Sequence, residues 1–113
     1  MAEDLSAQAV ELLIDEAWTS YVEDRYQAAV AAASRAVEAA RLLDDPVLLV
    51  RALRVEAAAL RLMGDYQAAL TGCTQVLGLA GDPATSGRLD DPRAAEAVAD
   101  AHCDWVECAR FVT

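Results

Sequence analysis

Gly64-Asp65-Tyr66-Gln67-Ala68-Ala69-Leu70 ends on five residues that echo Tyr26-Gln27-Ala28-Ala29-Val30, 40 positions earlier. A second echo, Leu43-Asp44-Asp45-Pro46 and Leu89-Asp90-Asp91-Pro92, is separated by 46. The extra six residues fall within 80–92, where Gly81-Asp82-Pro83, Ser86 and Gly87 make a long linker in place of the brief Asp44-Asp45. Recurrence near 40 residues with helical patterning is the mark of stacked helical hairpins, in which each unit leans on the next to bury its apolar side.

The same residues punctuate the helices. The first is expected over about 4–23, with Val10, Leu13, Ile14, Ala17 and Tyr21 at helical spacing. Asp24-Arg25 makes the turn into a second helix, 26–43. Asp45 is suited to cap the third, with Pro46 at its first position, where a missing N–H costs nothing. That helix runs over 46–63 and Gly64 stops it. A fourth covers 66–79, and Asp91-Pro92 repeats the cap for a fifth over 92–111.

Composition agrees. The 113 residues are one domain's worth, with 26 alanines, three prolines and five glycines. Alanine favours the helix and lets helices approach closely, and little punctuation remains for a sandwich or barrel. The class is all-α. A net charge of −10 excludes nucleic acid and anionic membrane as default partners, since both call for a basic footprint. No apolar run approaches the ~20 residues of a membrane span. Met1-Ala2-Glu3-Asp4 is acidic, so no signal peptide is expected. Cys73, Cys103 and Cys108 are odd in number and read as free thiols in a reducing, cytoplasmic compartment.

Leu53, Ala57, Leu60, Gly64-Asp65-Tyr66, Ala69 and Val76 resemble a tetratricopeptide (TPR) repeat, with small and large residues in that family's packing order. Leu13, Ala17, Tyr26, Ala29 and Ala36 match in the first hairpin. The fifth helix fits the front half of a third repeat, Cys103 taking the small position of Ala17 and Ala57. The family period is 34 residues. The longer one here is similar to a variant within bacterial multidomain regulators; the closing Pro is missing, and Ser20, Leu60 or Val106 stands where an aromatic is usual. The resemblance implies a right-handed α-solenoid of antiparallel hairpins, five helices in two and a half repeats, with a concave groove for a protein or peptide partner.

Glu96, Asp100, Asp104 and Glu107 are spaced 4, 4 and 3 apart, which keeps them on one side of the fifth helix. The resemblance turns Asp100, Asp104 and Glu107 to the groove. They are either a solvated face partly paired with Arg54 and Arg61, or a site for a basic peptide; carboxylates on one straight helix wrap a cation poorly. Trp18 and Tyr21 fall near groove positions of the first helix, as recognition aromatics or as bulk completing a core of alanines. His102, Cys103 and Cys108 point in different directions, and Cys73 could approach Cys103 across the helix interface without an evident fourth ligand. No metal site, cofactor or catalytic constellation is expected: there is no phosphate loop, and the lone His has no placed nucleophile.

The fifth helix carries two apolar stripes: Val98, Ala101, Trp105, Ala109 and Val112, and Ala95, Ala99, Cys103 and Val106. One can pack on the fourth helix and the other lacks a partner. Self-association is therefore expected through Val98, Ala101, Trp105, Ala109 and Val112, Trp105 being the anchor and the product a homo-oligomer. Either an excised piece of a larger regulator or a complete assembly subunit, natural or engineered, without a groove ligand would end this way. A Cys/His metal-binding protein is the remaining alternative.

Overall fold

The structure, a computed structural model, describes residues 6–112. Asp4 and Leu5, where the first helix is expected to open, lie outside them. Among the described residues every regular element is helical. These are α1 (Ala7–Val22), α2 (Tyr26–Leu42), α3 (Pro46–Leu62), α4 (Tyr66–Gly81), α5 (Pro83–Ser86), a 3₁₀ turn (Gly87–Leu89) and α6 (Pro92–Val112). The fifth helix expected from sequence is therefore α6. The connection before it is not a bare linker but a one-turn helix followed by the 3₁₀ turn. No helix among these residues is long and apolar enough to cross a membrane.

Apart from α2, which follows Arg25 without a side-chain cap, the long helices start on short acidic or hydroxyl side chains. Ser6 accepts from the Ala9 amide at 3.1 Å, Asp45 from Leu48 at 3.1 Å and Asp65 from Ala68 at 3.3 Å. Each satisfies a donor that the first helical turn leaves unpaired. Asp91 does the same for α6, accepting from the Arg93 amide at 2.8 Å.

Helix ends repeat every 20 residues. Asp24, Asp44 and Gly64 have φ of 64°, 53° and 85°, the left-handed region. The next amides, of Arg25, Asp45 and Asp65, donate to the carbonyls of Ser20, Ala40 and Leu60 at 2.8, 3.1 and 2.9 Å. Amides of Asp24, Asp44 and Gly64 donate to Tyr21, Arg41 and Arg61 at 3.1, 3.1 and 3.0 Å. This pair of bonds closes a helix on one left-handed residue, a place for Gly or a short polar side chain. Three identical closures make α1 to α4 two tight hairpins.

The hairpins stack around α3. Helix α2 packs on α1 and α3, α4 on α3 and α6, and α3 also touches α1 and α6. Nine α3 residues are buried, Leu48, Val50, Leu53 and Val55 among them. They join Val10 and Ile14 of α1 and Val76 of α4 as the bulk of the core. Small residues set the helix spacing: a methyl added at Gly72 of α4 would sit 3.4 Å from the Ala57 Cβ of α3. The insert before α6 is anchored by buried Leu89 and by Arg88, which donates to the Asp44 carbonyl at 2.7 Å.

Candidate functional site

Helices α1, α3 and α6 share one face, and α3 supplies its spine. Arg51, Arg54 and Arg61, three and seven residues apart, emerge on the same side of that helix. Each meets a carboxylate from a neighbour. Arg51 Nη1 is 2.8 Å from Glu11 Oε1 on α1, and Arg93 of α6 approaches the same carboxylate at 3.9 Å. Arg54 donates to Asp100 Oδ2 of α6 from Nη2 at 2.9 Å and Nε at 3.1 Å. Arg61 Nε lies 3.6 Å from Asp104 Oδ1, an ion pair longer than a hydrogen bond.

Trp18 closes the α1 side. Its ring lies 4.6 Å from the Arg54 guanidinium carbon, within cation–π range. It is half-buried against both core clusters, and Tyr21 meets it edge-on at 5.3 Å. Trp18 therefore finishes the core with one side and supports the arginine with the other. Between these groups lies a cleft of about 240 Å³ lined by Trp18, Arg51, Arg54, Arg93, Glu96, Ala97 and Asp100.

Of the expected groove residues, the structure brings Trp18, Tyr21, Arg54, Arg61, Asp100 and Asp104 onto this face. Asp100 and Asp104 are engaged by Arg54 and Arg61, as the paired-face alternative requires. Glu107 and Glu96 are exposed and make no ion pair among the described residues. Arg54 Nη1 and the same Arg61 Nε are buried without a hydrogen-bond acceptor. Chemically the face offers charged donors and acceptors beside an aromatic ring. A partner must compete with pairs already made, which favours a ligand of matching charge pattern over a merely charged one.

Glu11, Arg51 and Arg93 were not singled out from sequence. Arg51 was within reach of the same argument as Arg54, since the two are one helical turn apart. Glu11 follows from the expected stacking too, which sets α1 beside α3.

Helix α6 corrects the assignment of its two stripes. Ala101 is 2 % exposed and Val98 packs against the core, while Ala109 and Val112 are half-buried. Trp105 keeps 39 % exposure, with its indole N–H donating to Thr74 Oγ1 of α4 at 3.2 Å. The stripe assigned to self-association is thus mainly the one that seats α6 within its own chain. The uncovered stripe is the other: Ala95, Ala99 and Cys103 are exposed, and Val106 is 52 % exposed.

The cysteines divide accordingly. All three are unbridged. Cys73 of α4 and Cys108 of α6 are buried where those helices meet, and Cys103 points outward, away from the approach to Cys73 that the spacing allowed. Burial pushes the Cys73 thiol up to about 12, with the Asp104 carboxylate and Cys108 acting in the same direction. Burial and then Asp104 raise Cys108 as well. These are poor nucleophiles and poor metal ligands. His102 is exposed beside Cys103, and among the described residues no three His, Cys, Asp or Glu side chains are grouped to hold a metal ion.

Comparison of the chain with protein-family models, with curated proteins and with solved structures finds no match.

Proposed function

We propose that the chain is a non-catalytic interaction module of tetratricopeptide-like build, a right-handed α-solenoid of antiparallel hairpins. Its shared α1–α3–α6 face receives a protein or peptide segment, and α6 brings copies of the chain together. The observation that carries this reading is the face itself. Trp18, Arg51, Arg54 and Asp100 line one cleft, and three helices of a repeating stack contribute to it. The 20-residue closures at Asp24, Asp44 and Gly64 support the repeat architecture, because hairpins built alike pack alike. The unbridged thiols suit a reducing cytoplasmic setting.

The preferred ligand is a basic segment. The chain carries −10, and the exposed Glu96 and Glu107 flank Asp100 and Asp104 on α6. That field steers cations toward the face, and the effect weakens with salt. A fluorescein-labelled peptide of alternating arginine and alanine, titrated by anisotropy, tests this. Binding is expected to weaken about tenfold in Glu107→Gln combined with Asp100→Asn, the scale of one or two lost charge-assisted contacts. Unchanged affinity reassigns both carboxylates to the protein's own ion pairs.

The uncovered stripe of α6 favours a second reading, an assembly subunit with no groove ligand. Light scattering on wild type and Val106→Glu separates the two. Val106 is the residue to change, since Trp105 is tied to α4 through Thr74.

A further inference from the structure

Resting on the self-association part of that reading, we propose that the uncovered side of α6 is covered by the α6 of a second copy, antiparallel, about a two-fold axis at Cys103. The repeat identifies what this side is built to meet. With the 40- and 46-residue offsets, Ala99, Cys103 and Val106 of α6 correspond to Leu53, Ala57 and Leu60 of α3 and to Leu13, Ala17 and Ser20 of α1. On α1 this side is taken by α2: Ala17 sits in one cluster with Ala32 and Ala33. On α3 it is taken by α4, whose Gly72 faces Ala57. In both cases the covering helix reverses through a tight turn and runs antiparallel to the one it covers. On α6 the same positions are open, and Cys103 is exposed where Ala17 and Ala57 are 0 % and 2 % exposed.

Charge selects the occupant. Glu96 lies seven residues before Cys103 and Arg110 seven after it, two helical turns each way on the same side of the helix. Neither makes an ion pair or side-chain hydrogen bond among the described residues. An antiparallel copy centred on Cys103 sets each Glu96 against the other copy's Arg110, so both charges find partners twice over. A parallel copy would set like against like. Helix axes packed about 8–10 Å apart, with Cα atoms about 2.3 Å off each axis, bring facing Cα atoms to roughly 3.4–5.4 Å. The wider half of that range, about 4.4 Å and above, is a span a disulfide bridges. The helix is 21 residues long, about 31 Å at the usual rise, and Ala95, Ala99 and Val106 leave the close approach unobstructed.

The test combines light scattering with oxidation of the full chain by diamide, a diazene that takes two electrons and two protons from a thiol pair and leaves a disulfide. Wild type is expected to be a dimer that gives a covalent dimer on a non-reducing gel. Cys103→Ser should lose the covalent band while remaining a dimer. Glu96→Arg should raise the dimer dissociation constant about tenfold, and adding Arg110→Glu should restore it. Circular dichroism of each variant, expected to match wild type, checks that these outward substitutions leave the fold intact. A dimer with no Cys103 cross-link and no rescue overturns the antiparallel arrangement while self-association stands. A monomer at every concentration overturns both.

Discussion

Helices α3 and α6 stand side by side on the same face and are joined by ion pairs, yet they are held in different ways. Nine of the 17 α3 residues are buried, against four of the 21 in α6. The buried set in α3 includes Leu48, Val50, Leu53 and Val55; in α6 it is Ala94, Ala97, Ala101 and Cys108. Helix α3 is flanked by α1, α2, α4 and α6 and is secured by apolar volume. Helix α6 has one bare side and relies on small residues, on Arg54–Asp100 and Arg61–Asp104, on the Trp105–Thr74 bond, and on Phe111, which stacks on Tyr66 at 4.3 Å. Two helices that share one face can thus be core or margin according to what flanks them.

The largest expected effect separates those two modes. Leu53→Ala removes a buried branched side chain and should cost about 2–5 kcal/mol, whereas Val106→Ala on the open side should stay within about 0.5 kcal/mol. Urea unfolding of dilute protein followed by circular dichroism checks this. Equal losses at the two positions would break the contrast.

Alkali should find the α4–α6 contact next. Folded Cys73 keeps its proton until about pH 12, while in the unfolded chain it releases it near its ordinary value of 9. Between those values the unfolded chain binds fewer protons, so stability falls as pH rises through the window; below it the contribution is fully present. Cys108 acts in the same direction. Melting temperatures measured across pH 8 to 11 should decline, and Cys73→Ala should flatten the decline at the expense of a lower starting point.

The smallest effect sharpens the contrast at the connections. Gly64 closes α3 at a φ of 85°, and Gly64→Ala should cost about 1 kcal/mol. Gly87, in the insert that leads to α6, has a φ of −68° and open space around it, so Gly87→Ala should be close to neutral. Matched unfolding curves would read both.

Helix limits were legible because caps and stops are chemical: Asp45-Pro46, Gly64-Asp65 and Asp91-Pro92 each state a boundary within a residue or two. The insert was legible in length and not in form, since Pro83–Ser86 is too short to show a period. The orientation of α6 was not legible. Its two stripes are nearly equal in alanine, and which one turns inward depends on how residues 82–91 deliver the helix to α4. The Arg54 and Arg61 pairings could be anticipated from the stacking order, and the same order sets α1 beside α3, where Arg51 meets Glu11.

The three left-handed closures have a consequence for how such a chain can grow. Residues 25–64 begin just after one closure and end on another, so the joints at both ends have the same backbone geometry. A duplicate of that 40-residue segment spliced in behind Gly64 would meet a junction it already fits. The molecule is therefore a candidate for lengthening by whole cassettes, with the terminal rod and its bare flank carried outward unchanged.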